Sequence, residues 1–152
     1  MNSPAPNPLE SHVGFWLRFV SNHVSHAFML KLESRGVTVA EWVVLRTLFH
    51  ADDVNPSDIA KKIGMTRGAI SKLIDRVVAK KLVKCTVETG DRRFQRLSLT
   101  PAGRKIVPAL AALADRNDEE FFGHFSNQQR SDLIELLKNI VRRRGLKYVP
   151  IN

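Results

Sequence analysis

The sequence predicts a mainly α-helical chain with one small β-wing, a winged helix-turn-helix set between longer flanking helices. Three observations carry this expectation. Apolar residues recur at three- and four-residue steps along most of the 152 residues, the spacing of amphipathic helices. Two short helical segments on either side of Gly64 read as a glycine-joined pair. Directly after them the period changes to alternation, as a hairpin requires.

Taken in order, residues 1–8 contain three prolines and two asparagines and are expected to form a flexible arm. From Leu9 to Glu33, the positions Val13, Trp16, Leu17, Val20, Val24, Phe28 and Leu32 mark a long helix, with Gly36 as its stop. Its stripe is wide and rich in aromatics, so part of its cover is expected from another subunit. Thr38 and Glu41 form a capping box that opens a second helix to about His50, with Trp42, Val43, Leu45 and Leu48 inward. Asp52 and Asp53 follow as turn residues, not as a catalytic pair. Asn55-Pro56-Ser57-Asp58 supplies a cap, a proline at the first helical position and an acid in the first turn. The third helix turns Ile59, Ala60 and Ile63 inward and ends at Gly64. Met65 and Ile70 bracket Thr66 as a hydrophobic staple, and the fourth helix runs to about Lys80 on Ile70, Leu73, Ile74 and Val77.

Residues 82–87 and 94–99 read as the two strands of the wing, joined by a polar turn through Gly90. Thr100 and Pro101 open a fifth helix with an expected stripe of Ala102, Ile106, Ala109, Leu110 and Leu113, kinked or split at Pro108. A second capping box, Ser126 with Gln129, starts a last helix along Leu133, Ile134, Leu137, Ile140 and Val141 that Gly145 ends.

Composition bounds the function. With 43% hydrophobic and 26% charged residues the chain has core material for one domain. One cysteine excludes an internal disulfide framework and fits a reducing compartment. The start lacks a signal-peptide pattern and no apolar run is long enough to span a bilayer, so a soluble, cytoplasmic protein is expected. The net charge of +9 is segregated: residues 56–105 hold 13 basic and 4 acidic side chains, and the remainder is balanced. Such a block points to a polyanion, a nucleic acid or an acidic membrane face. The basic residues fall on a capped helix and a hairpin instead of one amphipathic stripe, which disfavours the membrane.

If Ile70, Leu73, Ile74 and Val77 face the core, the fourth helix turns Arg67, Gly68, Ser71, Lys72 and Asp75 outward. A major groove admits one such helix. Small Gly68 and Ser71 permit close approach, Arg67 and Lys72 can pair with guanine or phosphate, and Arg76 is better placed for phosphate. Thr66 sits at the helix N-terminus, whose free amides favour an anion. The same residues would also make an ordinary solvated face. The hairpin adds Arg92 and Arg93 at a narrow tip suited to a minor groove. Asp91 beside them is either a carboxylate that orients an arginine or a turn former. An enzyme is not expected, because no catalytic motif with useful spacing occurs. No cofactor or metal is expected either: His23 and His26 share a helical turn without an acidic or Cys partner. Cys85 reads as a small buried hydrophobe, not a thiol switch.

These stretches resemble the MarR family of bacterial transcription regulators. The likeness rests on residues 57–64, on 66–76, and most specifically on the wing. There Asp91 and Arg93 match the family's Asp-x-Arg, and Leu99, Thr100 and Gly103 its Leu-Thr-x-x-Gly. Phe94 departs from the family, which more often has a small residue there. The resemblance implies a homodimer, with residues 9–36 and 101–145 as its helical dimerisation region, 37–100 as the DNA-binding region and 146–152 as a tail. It further implies a palindromic double-stranded DNA target. Arg67, Gly68, Ala69, Ser71 and Lys72 would face the major groove, with Arg93 in the minor groove oriented by Asp91. Family members often take a small aromatic acid, and Trp16, Phe19, His23, Trp42 and Arg46 are the candidates to line such a site. The expected function is therefore a sequence-specific regulator, a repressor released by a ligand. A sequence-neutral architectural DNA- or RNA-binding protein is the alternative.

Overall fold

A computed structural model describes residues 3–51, 53–87 and 94–147. Six helices and one hairpin follow a short 3-10 turn, Leu9–Ser11. They are α1 Val13–Glu33, α2 Val39–Phe49, α3 Pro56–Ile63, α4 Arg67–Ala79, β1 Val83–Val87, β2 Gln95–Leu99, α5 Pro101–Phe122 and α6 Asn127–Arg144.

The long first helix starts later than its periodicity suggests. His12 is extended, and the Trp16 indole donates to the Glu10 carbonyl at 2.9 Å. Leu9 is mostly exposed, so no core contact draws the 3-10 turn into the helix. At the other end Gly36 adopts a left-handed φ of 72°, a conformation that glycine enters without steric cost.

α2 is the central element and touches α1, α3, α4, α5 and β2. Both halves of its capping box are present. Its buried row is Glu41, Val44, Leu45 and Leu48, while Trp42 and Val43 are only half-buried. The helix is thus rotated so that an i, i+3, i+4, i+7 row faces the core. α3 and α4 follow expectation. Asn55 and Thr66 cap them, Gly64 closes α3 with a φ of 72°, and all four expected residues of α4 are buried.

The strands pair antiparallel from Val83 opposite Leu99 to Val87 opposite Gln95. Val54 adds a bridge to Leu97 on the other edge of β2, which ties the hairpin to the loop before α3. Arg96 strengthens that tie by donating to the Asp53 carbonyl at 3.1 Å.

α5 is one unbroken helix through Pro108. The proline lies on the exposed side, where water can take the place of its missing N–H. The buried stripe of α5 also differs from expectation. Gly103, Val107, Leu110, Leu113 and Asn117 face inward, whereas Ala102 and Ala109 are exposed. Asn117 is polar yet belongs there. It accepts from Lys31 Nζ at 3.0 Å and donates to the Val24 carbonyl at 3.1 Å, which satisfies a buried amide and clamps α5 to α1. α6 has its capping box and its left-handed Gly145 but buries no residue.

Candidate nucleic-acid interface

The DNA-facing reading of α4 depends on how firmly the helix is seated and on what its other face offers. Thr66 Oγ1 accepts from the Ala69 amide at 3.2 Å, and Ile70, Leu73, Ile74 and Val77 lock the inner face into the core. Thr66, Arg67, Gly68, Ser71, Lys72, Asp75 and Arg76 are exposed, and Ala69 is half-buried. A Cβ placed on Gly68 would meet nothing within 4 Å, so the helix surface there is open to close approach. Among the described residues, no ion pair ties up Arg67 or Lys72.

The wing stands beside this face. A cleft of about 430 Å³ is lined by Pro56 and Ser57 at the start of α3, by Arg67, Ile70 and Ser71 of α4, and by Gln95 of β2. Gln95 pairs with Val87 at the outer end of the described ladder. The N-terminus of α3, the first turns of α4 and the outer end of the wing's strands therefore border one concave surface. The turn that carries Asp91, Arg92 and Arg93 lies outside the described residues.

Two charged residues have roles that sequence reasoning missed. Glu41 was legible as a capping residue, but its carboxylate is almost wholly buried beneath α4. Oε2 accepts from Lys80 Nζ at 2.7 Å, and Oε1 lies 3.8 Å from Arg76 Nε. Lys80 also donates to the Gly36 carbonyl at 2.7 Å. Arg96, counted among the basic block, works inside the fold as the wing's tie to Asp53. Its alternation along β2 points outward, and no local signal marks its partner.

The five candidate effector residues form two groups in the single chain. On α1, Trp16 packs edge-on with Phe15 at 5.1 Å, and Phe19 sits 4.9 Å from His23. Trp16 also lines an apolar groove of about 400 Å³ with Val20, Phe122, Phe125 and Leu137. On α2, Trp42 meets Phe28 at 6.2 Å and carries the Arg46 guanidinium 5.9 Å from its ring centre, within cation–π range. Cys85 is half-buried, and burial, followed by the nearby Asp75 carboxylate, raises its thiol above the ordinary value. Among the described residues no helix is long and apolar enough to cross a membrane, and no three potential ligands gather as a metal site.

Residues 35–93 match the model of the MarR family. The regulator SarZ of Staphylococcus haemolyticus is 23% identical over 133 residues, 88% of this chain and 89% of that protein. PrsX of Escherichia coli, also a helix-turn-helix regulator, is 29% identical over 108 residues, 70% of this chain and 64% of that protein. A solved structure of Bordetella bronchiseptica BpsR, described as regulated in its DNA binding by 6-hydroxynicotinic acid, is 26% identical. It superposes with a TM-score of 0.76 over 90% of this chain and 99% of that one. Fold and site together define a DNA-binding transcription regulator of the winged helix-turn-helix type. Over residues 35–93 the chain is similar to the MarR family of such regulators.

Proposed function

We propose that the chain works in the cytoplasm as a homodimer that binds a palindromic operator and represses transcription until a small aromatic acid releases it. The observation that carries the DNA half of this reading is the shared cleft of α4 and the outer end of the wing's strands, with Arg67 exposed in its lining and Lys72 exposed on the same helix. Arg67, Gly68, Ala69, Ser71 and Lys72 enter the major groove, while Thr66 and Arg76 hold the flanking phosphates. Arg92 and Arg93 reach the minor groove, Asp91 orienting Arg93. Exposed apolar rows on α1 and α6, Val13, Leu17 and Val20 with Leu137, Ile140 and Val141, support dimerisation through residues 9–36 and 101–145. Residues 37–100 form the DNA-binding region, flanked by the arm 1–8 and the tail 146–152.

For the effector, Trp42 and Arg46 offer an aromatic wall beside a cation, the chemistry that an aromatic carboxylate needs. Trp16, Phe19 and His23 complete the site where the helices of the dimer meet. BpsR, regulated by an aromatic acid, supports this class of ligand. Selection of bound sites from random duplexes tests the proposal. The expected product is a palindrome whose half-sites lie about 10 base pairs apart. Enrichment of no motif would overturn it in favour of a sequence-neutral binder.

A further inference from the structure

We propose that Glu41 is a positioning residue for DNA binding: from beneath α4 it orients Arg76 so that the guanidinium is presented to a backbone phosphate. The inference rests on the reading of α4 as the DNA-facing helix. Arg76 lies on that helix just over one turn beyond Lys72, with more than half of its side chain exposed, whereas the Glu41 carboxylate is 1% exposed. Their approach is through Nε, at 3.8 Å. A guanidinium carries five donors in a planar fork, so a contact at Nε leaves the Nη edge for a phosphate.

The carboxylate is a rigid anchor. It belongs to the first turn of α2, and the Thr38 amide donates to Oε2 at 3.4 Å. Lys80 donates to the same oxygen at 2.7 Å and, with its second bond to Gly36, moors the end of α4 to the α1–α2 corner. Two cations therefore face one carboxylate, and the group keeps a net positive charge. Glu41 steers Arg76 without cancelling it. A free arginine would lose rotamer entropy when it met DNA, and a steered one has already lost part of it.

The test is the affinity of the full chain for its selected duplex in a double-mutant cycle, with melting temperature and oligomeric state recorded for each variant. Glu41→Gln keeps the size and the capping ability of the side chain but removes its charge. It is expected to weaken binding about three- to tenfold, the range of one net hydrogen bond. Arg76→Ala should weaken binding at least as much and lower the slope of log K against log salt by about 0.9. Adding Glu41→Gln to Arg76→Ala should change nothing further. Tighter binding by Glu41→Gln would make the carboxylate a competitor of DNA and overturn the proposal. So would an unchanged affinity, or an equal loss in the Arg76→Ala background. Arg76→Lys, which keeps the charge and loses the fork, serves if Glu41→Gln does not fold; wild-type affinity in that variant overturns the proposal as well. If Arg76→Ala binds normally while the wild type still selects a motif, this inference fails and the regulator reading stands.

Discussion

Gly103 sits where α5 presses against the corner that joins α4 to the wing. A Cβ there would lie 2.0 Å from the Leu82 carbonyl oxygen, and backbone cannot yield to it. Thr100 builds the same corner: it donates to the Lys81 carbonyl at 2.7 Å and caps α5 by accepting from Gly103 at 3.0 Å. Lys81 itself is held at a φ of 60°, a left-handed turn uncommon for lysine. Gly103→Ala should therefore lower stability by about 2 kcal/mol or more and the melting temperature by several degrees; an unchanged melting curve would refute this. Gly68 has open space instead. Gly68→Ala should raise helix stability by about 0.5–1 kcal/mol while weakening DNA binding, and the two readouts moving together would count against its place in the groove. Cys85 provides a pH test. Its thiol is raised, first by burial and then by Asp75, so folding favours the neutral form. That contribution is intact at neutral pH and is lost as pH climbs through the folded value. Alkylation by iodoacetamide should therefore reach half its maximal rate at a higher pH in the native protein than in urea. Equal midpoints would contradict the burial argument.

At the scale of elements, legibility followed the locality of the signal. α4 was readable because its cap, staple and buried row all lie within residues 65–77. Both capping boxes formed for the same reason. The stripe of α5 was misjudged because hydrophobicity alone favours Ala102 and Ala109. The helix instead turns inward Gly103, where a backbone passes, and Asn117, where two hydrogen bonds wait on α1. Glu41 and Arg96 are explained by partners 39 and 43 residues away, beyond any window of local sequence. α6 carries a different signal, an apolar row left open among the described residues: Ile134, Leu137, Ile140 and Val141 are each about 40% exposed or more, as an interface would require. Replacing both Leu137 and Ile140 with Lys should convert a dimer to a monomer in sedimentation while the helical circular dichroism of the chain persists. A dimeric mass in that variant would exclude α6 from the interface.

For the whole molecule, the charge asymmetry was the most informative global quantity. Of the central block's basic residues, Arg67, Lys72 and Arg76 lie exposed on α4 and Lys84 and Arg96 on the described strands, and α2 is the element these parts pack around. Charge alone does not say that helix and wing share a surface; the cleft from Ser57 through Arg67 to Gln95 does. One experiment reads both grooves at once, because dimethyl sulfate methylates guanine N7 in the major groove and adenine N3 in the minor groove. On the selected duplex, the account predicts protected guanines in two symmetry-related segments about one helical turn apart, with flanking adenines protected as well. Arg93→Ala should lose the adenine protection and keep that of the guanines. Protection confined to one groove, or unaltered by Arg93→Ala, would contradict the claim that helix and wing grip a single face of DNA.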